Sequence, residues 1–96
     1  MEKIKQPALD RLFEAVLKLE TVEECYSFFE DLCTIRELKD LAQRLEVACL
    51  LAEGLNYQEI AGKTGVSSTT ISRVKRCLDY GSGGYTCAIS RMEKKE

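Results

Sequence analysis

The chain of 96 residues contains no histidine, no tryptophan and a single proline, Pro7. Without an imidazole, histidine-based acid–base catalysis is excluded, and with almost no proline the loops are predicted to be short and most of the chain helical. The five cysteines, Cys25, Cys33, Cys49, Cys77 and Cys87, are odd in number and form no C-x-x-C pair. That argues against a zinc knuckle and against a disulfide framework, and they read as small core residues. A redox switch would need an exposed thiol of depressed pKa, which a sequence does not show. No long apolar run or signal peptide precedes the domain, so a cytoplasmic, reducing location without a membrane partner is expected. No metal site, cofactor or enzymatic activity is expected either, since no carboxylate pair or nucleophile stands in a catalytic motif.

What is present is a small domain with an uneven charge. A chain this short buries proportionately little surface, so its stability should lean on helix caps or on oligomerisation. The net charge of -2 divides sharply along the chain. Residues 1–54 carry 7 basic and 12 acidic side chains, net -5, whereas residues 55–96 carry 7 basic and 4 acidic, net +3. An anionic partner therefore belongs with the second half.

That half contains the stretch NYQEIAGKTGVSSTTISRVKRCL, Asn56 to Leu78, which reads as a helix-turn-helix. Asn56 and Glu59 make an asparagine version of the capping box. Ile60 and the small Ala61 face the second helix, Gly65 supplies a left-handed reversal, and Val66 closes the small core. Ser67 is the N-cap of the second helix, in which Ile71, Val74 and Leu78 recur at inward-facing positions. The outward face is left with Ser68, Thr69, Ser72, Arg73 and Arg76, and Lys75 at its edge. Short hydroxyls near a helix N-terminus can approach base edges or phosphates, while arginines add bidentate and charge contacts. The plain alternative is a solvated helix face.

Before this motif, Pro7 fits a first helical turn, and helix one is predicted to run to about Glu20 with Leu9, Leu12, Phe13, Val16, Leu17 and Leu19 at helical spacing. A box of Thr21 and Glu24 opens helix two, where Val22, Cys25, Tyr26, Phe29, Leu32 and Cys33 form an apolar stripe. A box of Thr34 and Glu37 opens a long helix from Ile35 to Glu53, with Leu38, Leu41, Ala42, Leu45, Ala48, Cys49 and Ala52 facing one way, and Gly54 ends it. After Leu78, Asp79 and Tyr80 lead into Gly81-Ser82-Gly83-Gly84, a turn to a sixth helix that docks through Tyr85, Ala88, Ile89 and Met92. Residues 1–6 and Lys94, Lys95 and Glu96 read as polar ends. The reading is one all-α domain over 1–96, with dimerisation helices in 1–54, the helix-turn-helix in 55–78, and a turn and C-terminal helix in 79–96. The first three helices carry more apolar surface than one small domain covers, which an interleaved homodimer would bury.

The six-helix order, the box at Thr34, the long third helix ending at Gly54 and the reader after it resemble the tryptophan repressor superfamily. The segment ELKDLAQRLEVACLLAEGLNYQEIAGKTGVSSTTISRVKRCLDYGSGGY is similar to the branch of Trp-repressor-related proteins often called YerC/YecD. The resemblance implies an intertwined, six-helix homodimer that binds a palindromic double-stranded operator. It also implies an effector pocket: Arg44 and Arg73 match the two arginines that sandwich the corepressor indole, and Thr34 and Thr70 match residues that line or flank it. Two departures stand beside them. Val74 replaces a glycine that lies against the ligand, and Cys77 replaces a serine one turn later. A small-molecule corepressor is compatible with this arrangement, whereas tryptophan in the usual pose should meet the Val74 side chain. Alternatively, Arg44 pairs with Asp40 and Arg73 contacts phosphate.

The function expected is that of a sequence-specific transcriptional regulator, by resemblance a repressor. Contact is assigned to Ser67, Ser68, Thr69, Thr70, Ser72, Arg73 and Arg76, with Tyr57 and Gln58 positioning the DNA backbone. Thr34, Arg44, Arg73 and Cys77 are the candidate effector residues. The alternative is a protein-interaction module on the same fold that has lost operator binding, which the acidic first half favours.

Overall fold

The computed structural model describes residues 4–93, so the polar ends at 1–3 and at Lys94, Lys95 and Glu96 lie outside it. Six helices follow one another: α1 (Pro7–Leu17), α2 (Val22–Leu32), α3 (Ile35–Ala52), α4 (Tyr57–Thr64), α5 (Ser68–Tyr80) and α6 (Gly84–Glu93). Among the described residues there is no strand, and no helix is long and apolar enough to cross a membrane. The chain divides into two compact units, Met1–Leu38 and Lys39–Glu96. The division falls inside α3, whereas the sequence reading drew its functional boundary at Gly54.

In the first unit Pro7 occupies the opening turn of α1, where its missing amide hydrogen has no helical partner to lose. The helix stops at Leu17, three residues short of the expected Glu20, and Leu19 is not part of it. The reason lies in the next cap. Thr21 accepts from the Glu24 amide at 3.0 Å, while the Glu24 carboxylate accepts from the Glu20 amide at 2.8 Å. Glu20 thus already belongs to the entry of α2, and the return arm of the expected Thr21–Glu24 box closes one residue earlier than in the usual motif. Neither α1 nor α2 contains a buried residue. Phe13, Leu17, Val22, Tyr26 and Leu32 are all at least half exposed, although Phe28 and Phe29 meet edge to face with ring centroids 5.4 Å apart.

The third helix, α3, opens on a reciprocal box. Thr34 accepts from the Glu37 amide at 3.0 Å and donates its own amide to the Glu37 carboxylate at 2.9 Å. The helix closes with the paired bonds of a Schellman turn, Leu55 amide to Leu50 carbonyl at 3.2 Å and Gly54 amide to Leu51 carbonyl at 3.0 Å. Gly54 has φ +97°, a conformation that a Cβ resists.

The second unit holds the core: Val47, Ala48 and Leu50 of α3, Ile60 of α4, Val66 of the turn, Ile71 and Val74 of α5, and Ile89 of α6. The expected face of α3 is corrected here. Val47, which the periodicity did not select, is fully buried, whereas Leu41, Ala42 and Ala52 are exposed. The helix has two apolar faces, and the one that packs on α4–α6 is rotated from the one that the spacing of leucines picks out. The cysteines are corrected as well, since Cys25, Cys33 and Cys49 are only half-buried and Cys77 and Cys87 are exposed. Aliphatic side chains alone fill the centre. In α6, Ile89 docks as expected and Tyr85 is half-buried, but Ala88 and Met92 remain exposed, so the helix seats along a single narrow edge.

The fifth helix, α5, runs to Tyr80, two residues past the expected Leu78. Gly81 ends it by donating to the Cys77 carbonyl at 2.8 Å, and a Cβ at Gly81 would collide with that same carbonyl oxygen. Because the obstacle is backbone, it cannot rotate away. Replacing Ile60, fully buried between the helices, with alanine is expected to lower stability by about 2 to 5 kcal/mol in urea unfolding. Gly81→Ala should also lower the unfolding midpoint; an unchanged midpoint for Gly81→Ala would show that the turn relaxes freely.

Candidate nucleic-acid interface

The interface is built from the turn outward. Asn56 accepts from the Glu59 amide at 2.9 Å, and the Glu59 carboxylate accepts from the Asn56 amide at 2.8 Å, so α4 starts on a complete box. Its end is set by Gly65, φ +74°, which donates to the Ala61 carbonyl at 2.8 Å. Thr64 adds a contact that the sequence reading missed. Its hydroxyl donates to the Ile60 carbonyl at 2.8 Å and accepts from the Val66 amide at 3.2 Å, bridging the last turn of α4 to the linker. The signal available was a threonine directly before the turn glycine, a residue type that bonds locally to backbone. With Ile60 and Val66 buried on either side, the turn is held at both ends.

Ser67 caps α5 by accepting from the Thr70 amide at 3.3 Å, and its hydroxyl donates to the Thr70 hydroxyl at 3.4 Å. Both hydroxyls are thus engaged in starting the helix, and Thr70 is half-buried. Ser68, Thr69, Ser72, Arg73 and Arg76 are exposed, opposite the buried Ile71 and Val74. Tyr57, 38% exposed, and the exposed Gln58 stand at the start of α4. Lys75 is held by Asp79 in an ion pair of 2.9 Å, and that hydrogen bond and charge raise the lysine pKa, with smaller contributions from Tyr57 and Tyr80. The outward face carries three cations, Arg73, Lys75 and Arg76, and the single acid of the helix, Asp79.

The flank of α5 towards α3 is a cleft of about 190 Å³ lined by Asp40, Gln43, Arg44, Thr70, Arg73 and Val74. The structure thus brings Arg44 and Arg73 to one cleft, which Thr70 and Val74 also line. Neither arginine has a carboxylate oxygen within 4.0 Å among the described residues, so the pairing of Arg44 with Asp40 is not formed even though both line the cleft. Cys77 does not line it. The Thr34 hydroxyl serves as the N-cap of α3, and Cys77 lines a separate, mostly apolar depression of about 470 Å³ with Leu45, Gly81, Ser82, Gly84, Tyr85 and Ala88. Burial pushes the Tyr85 phenol above its ordinary range, with Cys77 adding to the rise and Arg44 opposing it. Cys49 is likewise pushed up, first by burial and then by Glu46, Glu53 and Glu93, which disfavours the reactive thiolate. No group of three metal-ligating side chains occurs among the described residues.

The family described as Trp repressor protein matches residues 7–93. The chain is 52% identical over its full 96 residues, and over 92% of the relative's length, to a protein of Bacillus subtilis (strain 168) described as uncharacterized protein YerC. Two crystal structures superpose along nearly the whole chain. A TrpR-like protein from Eubacterium eligens matches with a TM-score of 0.92 and 48% identity, covering 100% of this chain and 99% of that one. A Staphylococcus aureus protein provisionally described as a Trp repressor matches with a TM-score of 0.91 and 49% identity, covering 98% and 94%.

The hydrogen bonds separate capping residues from free ones. Ser67→Ala is expected to cost about 1 kcal/mol through the lost cap and to lower the melting temperature followed by circular dichroism. Thr69→Ala, at an exposed position whose hydroxyl makes no hydrogen bond among the described residues, should leave the melt within about 0.5 kcal/mol of wild type.

Proposed function

The chain belongs to the Trp repressor family, and on that premise we propose that it is a dimeric, sequence-specific DNA-binding regulator that acts as a transcriptional repressor in the cytoplasm. The observation that carries this reading is the division of α5: Ile71 and Val74 are buried on one side, while Ser68, Thr69, Ser72, Arg73 and Arg76 are exposed on the other. A helix fixed in this way can enter a major groove with its N-terminal hydroxyls against base edges and its arginines on bases or phosphates. Tyr57 and Gln58, at the start of α4, meet the flanking backbone. Ser67 and Thr70 contribute through the cap that presents the helix.

The dimer is supported by the apolar surface that the described chain leaves open. Leu17, Val22, Tyr26 and Ile35 are each more than 60% exposed, and no residue of α1 or α2 is fully buried. Interleaving two copies removes this surface from water and sets two α5 helices about 34 Å apart, one turn of DNA. Selection of bound sequences from a random duplex library is expected to return a two-fold palindrome. Thr69→Ala and Arg73→Ala are each expected to weaken that site, by about 1 to 3 kcal/mol where a base contact is lost. A library without enrichment, together with binding insensitive to salt, would instead favour the interaction-module reading that the acidic first 54 residues support.

The cleft of Arg44 and Arg73 is a candidate effector site for which tryptophan is a poor occupant. Val74 is 3% exposed and forms part of the cleft wall, so an indole placed there would displace a packed side chain. Calorimetry should detect no tryptophan binding by the wild type and measurable binding by Val74→Gly. Because glycine costs about 1 kcal/mol within a helix, circular dichroism must accompany the titration. Micromolar binding of tryptophan by the wild type would overturn the steric argument.

A further inference from the structure

The ion pair of Lys75 and Asp79 is not explained by the stability of the helix that carries it. Asp79 sits next to the last residue of α5, where a negative charge faces the negative end of the helix dipole. Lysine preceding aspartate by four residues is the weaker order for a pair along a helix. Both side chains are well exposed, at 46% and 39%, a setting in which such pairs add little to folding. Local stability would therefore favour a neutral or basic residue at position 79.

The placement has a different consequence. Ser68, Ser72, Lys75 and Asp79 follow one another at spacings of four, three and four, so they form one row along the outward surface of α5. The acid is the only one in a helix whose other charges are Arg73, Lys75 and Arg76. Its oxygen lies 2.9 Å from the Lys75 ammonium. The other titratable groups near that ammonium are the phenols of Tyr57 and Tyr80. A carboxylate oxygen and a phosphate oxygen offer an ammonium the same kind of contact, and a lysine stem is flexible enough to exchange one for the other.

We propose that Asp79 is an internal stand-in for a DNA phosphate, holding Lys75 in the free protein and setting the affinity and salt dependence of the recognition helix. This rests on the reading of α5 as the DNA reader. To reach a phosphate, Lys75 must leave Asp79, and the freed carboxylate then faces the DNA backbone as an uncompensated negative charge. The exchange opposes binding to any sequence equally. Arg73 and Arg76, which have no carboxylate within 4.0 Å among the described residues, are not restrained in this way.

The test is a cycle of wild type, Asp79→Asn, Lys75→Gln and the double variant, with anisotropy of a labelled random-sequence duplex measured across a salt series. Asp79→Asn is expected to bind about two- to five-fold more tightly at low salt, the range that an exposed ion pair allows. The slope of log K against log salt should steepen by about 0.9, one additional phosphate contact. Lys75→Gln should cost more in the Asp79→Asn background than in wild type, because only there does the ammonium reach a phosphate without first giving up a carboxylate. Independently of DNA, the NMR titration midpoint of the Lys75 ammonium should fall when Asp79 is neutralised. Unchanged affinity and slope for Asp79→Asn, equal costs of Lys75→Gln in both backgrounds, or an unmoved lysine midpoint would each overturn the proposal while wild-type DNA binding stands. Failure of every form to bind the duplex at low salt would instead overturn the reading of α5 itself, and the proposal with it.

Discussion

The contact between Ile60 of α4 and the inward side of α5 is the constraint on which the candidate interface depends. Ile60, Ile71 and Val47 are the largest fully buried side chains, and they come from three successive helices. Fixing Ile71 and Val74 inward leaves only one orientation for the rest of α5, because a helix rotated to expose either would place aliphatic surface in water and arginine in the core. The outward position of Ser68, Thr69, Ser72 and Arg76 is thus a consequence of apolar packing. The polar face of α5 is set by residues that are themselves buried.

The caps provide a second layer of control. Thr21, Thr34, Asn56 and Ser67 each accept from the amide three residues on, so four of the six helices begin at a residue set by a side-chain bond. The turn between α4 and α5 is held still more closely by Gly65 and the two bonds of the Thr64 hydroxyl. A helix supported by so short and so well-bonded a turn is fixed to its core.

The two units use their apolar residues differently. The second unit has an interior, centred on α3 to α6, whereas α1 and α2 in the first have none. Amphipathic helices without an interior gain their stability from packing against something else, since helices of 11 residues are marginal alone in water. A second copy of the chain is the occupant consistent with the family and with the proposed reading of a palindromic site.

Much of this architecture could be read from the sequence because its causes are local. Each cap lies within four residues of the amide it serves, Gly65 and Gly54 stand where a left-handed residue is needed, and the period of Ile71, Val74 and Leu78 marks a buried side. The six helices, their order and the outward residues of α5 follow from such short-range rules. The sequence reading failed where two acceptable local solutions competed. Glu24 could cap its own N-cap residue or the one before it, which shortened α1, and α3 could turn either of two apolar faces to the core, which buried Val47 and exposed Leu41. Tertiary packing alone decided those, as it decided that Arg44 and Arg73, 29 positions apart in the chain, line one cleft while Cys77 lines another. Caps and turns are determined by the chain within a few residues of themselves, whereas the choice of a helix face is determined by the shape of whatever packs against it.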